Sequence, residues 1–248
     1  MIASVAAFKM LKTRKNEKLY TFHRKALFLG LIVGGLFSFL TALNGHESAQ
    51  LLYEYQPEKL AGAEGLFETQ SHAPLAIGGF TDADSQEIKG AIEIPWALSF
   101  LAGNSFDTVV KGLNDFPRDE WPPLFIHTLF NGMVIIGSVL ILFAVLALLY
   151  RKILKRDKFP KWLLFFLYLF GGPLSLLAIE FGWIFACTGR QPWVIYRMLK
   201  TSEVVTSSGS IGTLFILFAI VYLILGIATV IVLTYYFRKK IRLKKTYG

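Results

Sequence analysis

The run LFIHTLFNGMVIIGSVLILFAVLALL, residues 124–149, contains no Asp, Glu, Lys or Arg. A helix that crosses the hydrocarbon core of a bilayer needs about 20 consecutive apolar residues, and this run supplies them. Its backbone N–H and C=O groups find no partner in lipid, so it must be helical. Residues 26–43, 162–187 and 212–237 read the same way. The chain is therefore expected to be an all-α integral membrane protein, one membrane domain over 1–248 with four transmembrane helices. Composition agrees, with 54% hydrophobic and 15% aromatic residues, well above a soluble domain.

A net charge of +9 raises the question of nucleic acid. The basic residues are not spread over a soluble face, however. Most lie at the ends of the apolar runs: Lys9, Lys12, Arg14, Lys15, Lys18, Arg24 and Lys25; then Arg151, Lys152, Lys155, Arg156, Lys158 and Lys161; then Arg238, Lys239, Lys240, Arg242, Lys244 and Lys245. With four spans these clusters fall on one side, and the positive-inside rule makes that side cytoplasmic. Residues 44–123 then form a large outer loop, rich in Asp and Glu. The expected location is the cytoplasmic membrane of a prokaryote, multi-pass, with the C-terminus inside. Nucleic acid is not an expected partner; membrane lipid is.

The first residues, 1–11, are apolar but about half the length of a span, and the basic cluster follows rather than precedes them. A signal peptide has the opposite order. The segment reads as the cytoplasmic half of a span, and the chain as the C-terminal part of a longer subunit. The single cysteine, Cys187, excludes an intrachain disulfide and a cysteine-rich metal site. No phosphate-binding glycine loop, HExxH pattern or hydrolase elbow is present.

Within the outer loop, QPEKLAGAEGLFET (56–69) reads as a helix interrupted at Gly62 and Gly65, and IEIPWALSFLA (92–102) as a segment lying on or dipping into the outer interface. Lys59 and Glu64 are five residues apart, about 140° around a regular helix, too far for an i,i+4 ion pair. From composition alone, such a stretch is most simply a solvated interfacial helix. Glu180 is a carboxylate inside an apolar run, a costly placement that usually marks a functional site. The pairs Gly34–Gly35 and Gly171–Gly172, the latter followed by Pro173, allow a close helix approach or a kink.

The segment KLAGAE (59–64) resembles the quinol-binding loop of subunit I of cytochrome bd-type quinol oxidases. IPWAL (94–98) through DTVVKGL (107–113) resembles the continuation of that loop. HTLFNGMV (127–134) resembles the span that carries a methionine haem ligand. Gly182-Trp183 followed by GRQPWVIY (189–196) resembles the family signature at the outer end of the penultimate span. The likeness runs through nearly the whole chain, in order.

That resemblance implies a quinol site at Lys59 and Glu64, with Glu68 a third member. It implies Met133 as an axial ligand to a low-spin haem b, where an unaided reading gives a gap-filling methionine. Asn131 stands where many relatives have Arg or Asp. Trp183 is placed between haems, Arg190 against haem propionates or acidic neighbours, and Glu180 in a proton path or haem site. Cys187 occupies the position of a glutamate associated with a high-spin haem, which leaves open whether a high-spin haem b and a haem d, or haems of b type alone, complete the set. The implied reaction is oxidation of a membrane quinol, with electrons passed through haems to reduce O2 to water.

The family's histidine ligands lie on earlier spans. His23, His46, His72 and His127 cannot replace them, since none is mid-span. The resemblance therefore implies two further partners, oxidase subunit II and the N-terminal half of subunit I, and inactivity without them. Two competing readings remain: a truncated, non-catalytic membrane fragment and a transporter-like helical bundle. The second would need paired broken helices with polar groups at the midplane; only Glu180 and the Gly-Gly-Pro kink hint at that.

Overall fold

Helix α2, Glu17–Tyr55, is 39 residues long, roughly twice what a bilayer requires. Asn16 caps its start, its side-chain oxygen accepting from the Leu19 N–H at 3.1 Å. The apolar stretch ends near residue 43, and the helix continues for about three more turns. The structure is a computed structural model and describes residues 1–154, 158–206 and 209–246. Of the basic clusters, Lys155 and Arg156, and the side chains of Arg238, Lys239, Lys240, Arg242, Lys244 and Lys245, lie outside the described residues.

Among the described residues, four helical segments are long and apolar enough to cross a membrane: Glu17–Tyr55, Ile126–Ile153, Lys161–Thr188 and Ile211–Phe237. The chain is thus mostly helical, as its apolar runs require. Met1–Glu203 form one compact unit. In it, α1 (Ile2–Lys12), α2, α5 (Ile126–Leu154) and α6 (Lys161–Leu169) close around Met10, Leu27, Ala147, Leu164 and Leu167, with Phe159 from the turn before α6. The short α1 is an ordinary helix packed on α2 and α6.

The third span is not a uniform helix. Between α6 and α7 (Ser175–Thr188) lies a π-helical turn, Phe170–Leu174, containing Pro173. Proline lacks the N–H that a regular helix needs there, and the wider turn accommodates it. Ser4 of α1 donates from its hydroxyl to the Tyr168 carbonyl beside this turn at 2.8 Å. The Gly-Gly-Pro sequence thus marks a break that a neighbouring helix covers.

The segment joining α2 to α5 starts with α3 (Pro57–Glu64). Two antiparallel ribbons follow, one nested in the other: β1 (Leu75–Ile77) pairs with β4 (Ile92–Ile94), and β2 (Phe80–Asp82) with β3 (Glu87–Lys89). Helix α4 (Ala97–Gly103) completes it. One sequence expectation is corrected here, while residues 92–102 form strand β4 and helix α4. Helix α3 runs unbroken through Gly62 and ends at Gly65, which takes a left-handed φ of 69°. Gly62 serves close approach: a Cβ there would meet the Pro122 ring at 2.5 Å. After α7, strands β5 (Trp193–Ile195) and β6 (Leu199–Lys200) pair. The second unit, Val204–Gly248, carries α8 (Ile211–Thr246), whose first part is the fourth apolar span.

In Gly62→Ala, the clash with Pro122 costs about 1–3 kcal/mol, against at most about 1 kcal/mol gained in helix propensity. The expected outcome is a lower melting temperature, measured by thermal unfolding in detergent, with helical content unchanged.

Candidate functional site

Helix α3 is enclosed on nearly every side. Glu58, Leu60, Ala61, Gly62, Ala63 and Glu64 are all buried, and what fixes them is the first turn of α5. His127 is fully buried, its Nδ1 2.9 Å from the Ala63 carbonyl and its Nε2 3.0 Å from the Gly78 carbonyl. Asn131, one turn on, accepts from the Gly78 N–H at 2.9 Å and donates to the His127 carbonyl at 3.2 Å. Asn131 thus anchors the β1–β2 turn. On the other side of α3, the buried carboxylate of Glu58 accepts from Tyr196 Oη at 2.5 Å and from Arg197 Nη2 at 3.2 Å.

Lys59 and Glu64 lie on different flanks of this helix, as their angular spacing requires. They do not share a cavity. Lys59 reaches toward the end of α7, its Nζ 5.2 Å from the Phe185 ring centroid. Burial, with the Arg190 guanidinium second, holds its ammonium below the usual lysine range. It lines a cleft with Glu58, Arg190, Trp193 and Tyr196 whose free volume is about 10 Å³, room for no more than one water. The indole Nε1 of Trp193 is buried there without a hydrogen-bond partner. This flank therefore gathers donors: an ammonium, a guanidinium and an unsatisfied N–H.

The Glu64 flank gathers acceptors. Glu64 is 3% exposed and its Oε2 has no hydrogen-bond partner. Burial alone pushes its carboxyl up to about 8, since an unpaired charge is strongly disfavoured out of water. It lines a cavity of about 570 Å³ with Glu68, Glu87, Glu93, Gln70 and Gln86 among others. Glu68, the expected third member, is exposed at this cavity and away from Lys59. Sequence reading singled out neither Glu87 nor Glu93 within the loop's acidic residues; only the nested ribbons bring them to Glu64. Glu58 and Trp193 were also missed as individual residues, although Trp193 stands in a motif.

Met133 is half-buried in α5, facing Gly182 of α7 so closely that a Cβ on Gly182 would lie 2.7 Å from the sulfur. Phe130 stacks near Phe185 at 5.1 Å between centroids on the same helix pair. Glu180, Trp183 and Cys187 are exposed, and their spacing puts them along one face of α7. Arg190 is exposed just past the helix end. Among the described residues no group of three or more His, Cys, Asp or Glu is placed to hold a metal ion. The thioether of Met133 and the exposed face of α7 would fit one side of a haem, with Arg190 placed near its propionates and one donor offered to its iron.

Residues 1–241 match the family model for cytochrome bd terminal oxidase subunit I. A protein of Bacillus subtilis (strain 168) named "Putative cytochrome bd menaquinol oxidase subunit I" is 71% identical over 239 residues, covering 96% of this chain and 54% of that protein. Another from the same organism, cytochrome bd ubiquinol oxidase subunit 1, is 32% identical over 240 residues, covering 91% of this chain and 50% of that protein. The solved structure of bd oxidase from Geobacillus thermodenitrificans superposes with a TM-score of 0.80 at 44% identity, covering 96% of this chain and 54% of that one. The chain spans about half the length of the curated relatives it matches.

Glu64 has a direct stability signature. Its folded carboxyl lies at about 8 against an ordinary 4.5, so the stability it contributes is fully present below the lower value and is lost as pH rises through the upper one. Melting curves from pH 5 to 9 should show the unsubstituted protein losing stability relative to Glu64→Gln across that window. Parallel curves would contradict a buried, unpaired Glu64.

Proposed function

The chain belongs to the cytochrome bd terminal oxidase subunit I family, and from that membership we propose that it is part of a terminal quinol oxidase and carries the quinol-oxidising segment. One observation supports this most: a single short helix separates the donors around Lys59, among them the unsatisfied N–H of Trp193, from an unsatisfied acceptor, Glu64. Oxidising a quinol releases electrons and protons together. Lys59, with the Trp193 N–H, stabilises the oxygen as its charge grows. Glu64 accepts the phenolic proton, and its burial helps: a carboxylate near 8 is a stronger base than an exposed one, yet it still returns protons near neutral pH.

The substrate is a membrane quinol; the name of the relative at 71% identity points to menaquinol. Met133 would hold the iron of a low-spin haem b through its thioether, Trp183 and Glu180 would flank the group, and Arg190 would meet its propionates. A bound haem supplies a one-electron acceptor that passes electrons toward O2. Cys187 faces the same side as Trp183, at the place expected for a high-spin haem b or haem d. The exposed face of Glu180, Trp183 and Cys187 needs polar cover within a bilayer, which suits an N-terminal half of subunit I; subunit II completes the assembly. The distribution of basic residues supports a cytoplasmic-membrane location with residues 56–125 outside and the C-terminus inside.

Membranes containing this chain together with an upstream half and subunit II are expected to give a haem signal in reduced-minus-oxidised spectra, with the low-spin haem b component lost in Met133→Leu. Lys59→Met and Glu64→Gln should keep that spectrum while slowing quinol oxidation about 100-fold or more. A complemented membrane without any haem signal overturns the reading.

A further inference from the structure

The cavity on the Glu64 flank has an unusual lining. Its base is a buried carboxyl with one oxygen unpartnered. Glu68, Glu87 and Glu93, also in its lining, are all exposed, with Gln70 and Gln86 beside them. No Lys or Arg contributes to the wall. Quinol rings are apolar and favour pockets lined mainly by hydrophobic and aromatic groups. Leu66, Phe67, Pro74, Ala76 and Ile88 also line this cavity, but its open surface is mainly polar, and a surface rich in carboxylates and amides holds water and concentrates cations, protons included. With about 570 Å³ of free volume, the cavity has room for many waters.

We propose that this cavity is the proton outlet of the quinol site: Glu64 is its inner gate, and Glu68, Glu87 and Glu93 carry the proton from there to the aqueous side. The proposal rests on the quinol reading above. The quinol O–H bond breaks and its proton goes to a Glu64 carboxylate oxygen, while the bonding electrons stay with the quinol oxygen, from which a bound haem would withdraw them one at a time. The Glu64 O–H bond then breaks toward a cavity water, which restores the carboxylate. The two flanks of α3 thus divide the reaction. The donors near α7, where Met133 and Trp183 lie, serve the electron side; the ribbon-lined cavity serves the proton side. Hydrogen bonding is consistent with this division, because Glu58, the other buried carboxylate of α3, is fully engaged with Tyr196 and Arg197 and faces the opposite cleft.

The test uses the assembled oxidase in vesicles, driven by a short-chain quinol, with an impermeant pH dye on the side of the cavity. Two variants leave the buried core alone: Glu87→Gln/Glu93→Gln, and Ser85→Trp, which places a bulky ring at an exposed lining position. In both, proton appearance and turnover should slow about tenfold with KM for quinol and the haem spectrum unchanged. Infrared spectra provide a readout independent of turnover. The protonated-carboxyl band absent from Glu64→Gln should shift promptly in D2O in the unsubstituted protein and slowly in Ser85→Trp. Undiminished proton release together with unchanged deuterium exchange in both variants overturns the outlet. A raised KM at constant kcat also overturns it, and would place the quinol ring itself in the cavity. If the unsubstituted assembly oxidises no quinol, the underlying reading falls and the outlet with it, an outcome distinguishable from the other two.

Discussion

The buried ring of His127 lies within hydrogen-bond distance of two carbonyls from separate parts of the chain, those of Ala63 and Gly78, and the geometry of α3 follows from that placement. A helix of eight residues has little stability of its own. Here its last turn is tied to α5 through His127, its middle lies flush against Pro122 through Gly62, and its start is held by Glu58 against Tyr196 and Arg197. Because α5 is a membrane-spanning helix, the lipid-bound frame sets where α3 points. The β1–β2 turn is drawn in by the same ring and by Asn131.

Fixing α3 this tightly has an energetic purpose on the proposed reading. A buried unpaired carboxyl is expensive if ionised, and a loose helix would rotate Glu64 into water or toward a cation. The hold on Ala63, the residue before it, removes that escape. An unsatisfied indole N–H at Trp193 is costly for the same reason, and it too lies between fixed neighbours. Catalytic groups whose charges develop only during reaction are often kept in such unsatisfied states.

Much of this was legible in the sequence, because membrane spans follow from uninterrupted apolar length and need no tertiary knowledge. The separation of Lys59 from Glu64 was legible too, since helical angle depends only on spacing. Other features required the folded chain. Gly62 looks like a break in a helix when only propensity is considered; it is tolerated because a proline from another segment occupies the space of its absent side chain. Residues 92–102 look like an interfacial apolar stretch, but β1 supplies hydrogen-bond partners for their first part. Glu87 and Glu93 reach the Glu64 cavity only because two ribbons nest, and pairing between segments leaves no mark in either one alone. The span read as ending near residue 43 does not mark the end of its helix, which runs on to Tyr55, since polar residues continue a helix as readily as apolar ones once it has left the lipid.

That long helix has a consequence of its own. Beyond residue 43, α2 rises roughly 18 Å to its end at 1.5 Å per residue, and along this rise it meets the connecting segment twice, through His46 with Asn104 at 2.8 Å and through Tyr53 Oη donating to the Val109 carbonyl at 3.2 Å. A stiff helix with fixed attachment points works as a ruler. Adding or removing one residue between those contacts would turn everything above by about 100°, so both attachments could not be kept. The height of α3 over the membrane is therefore counted in residues of α2.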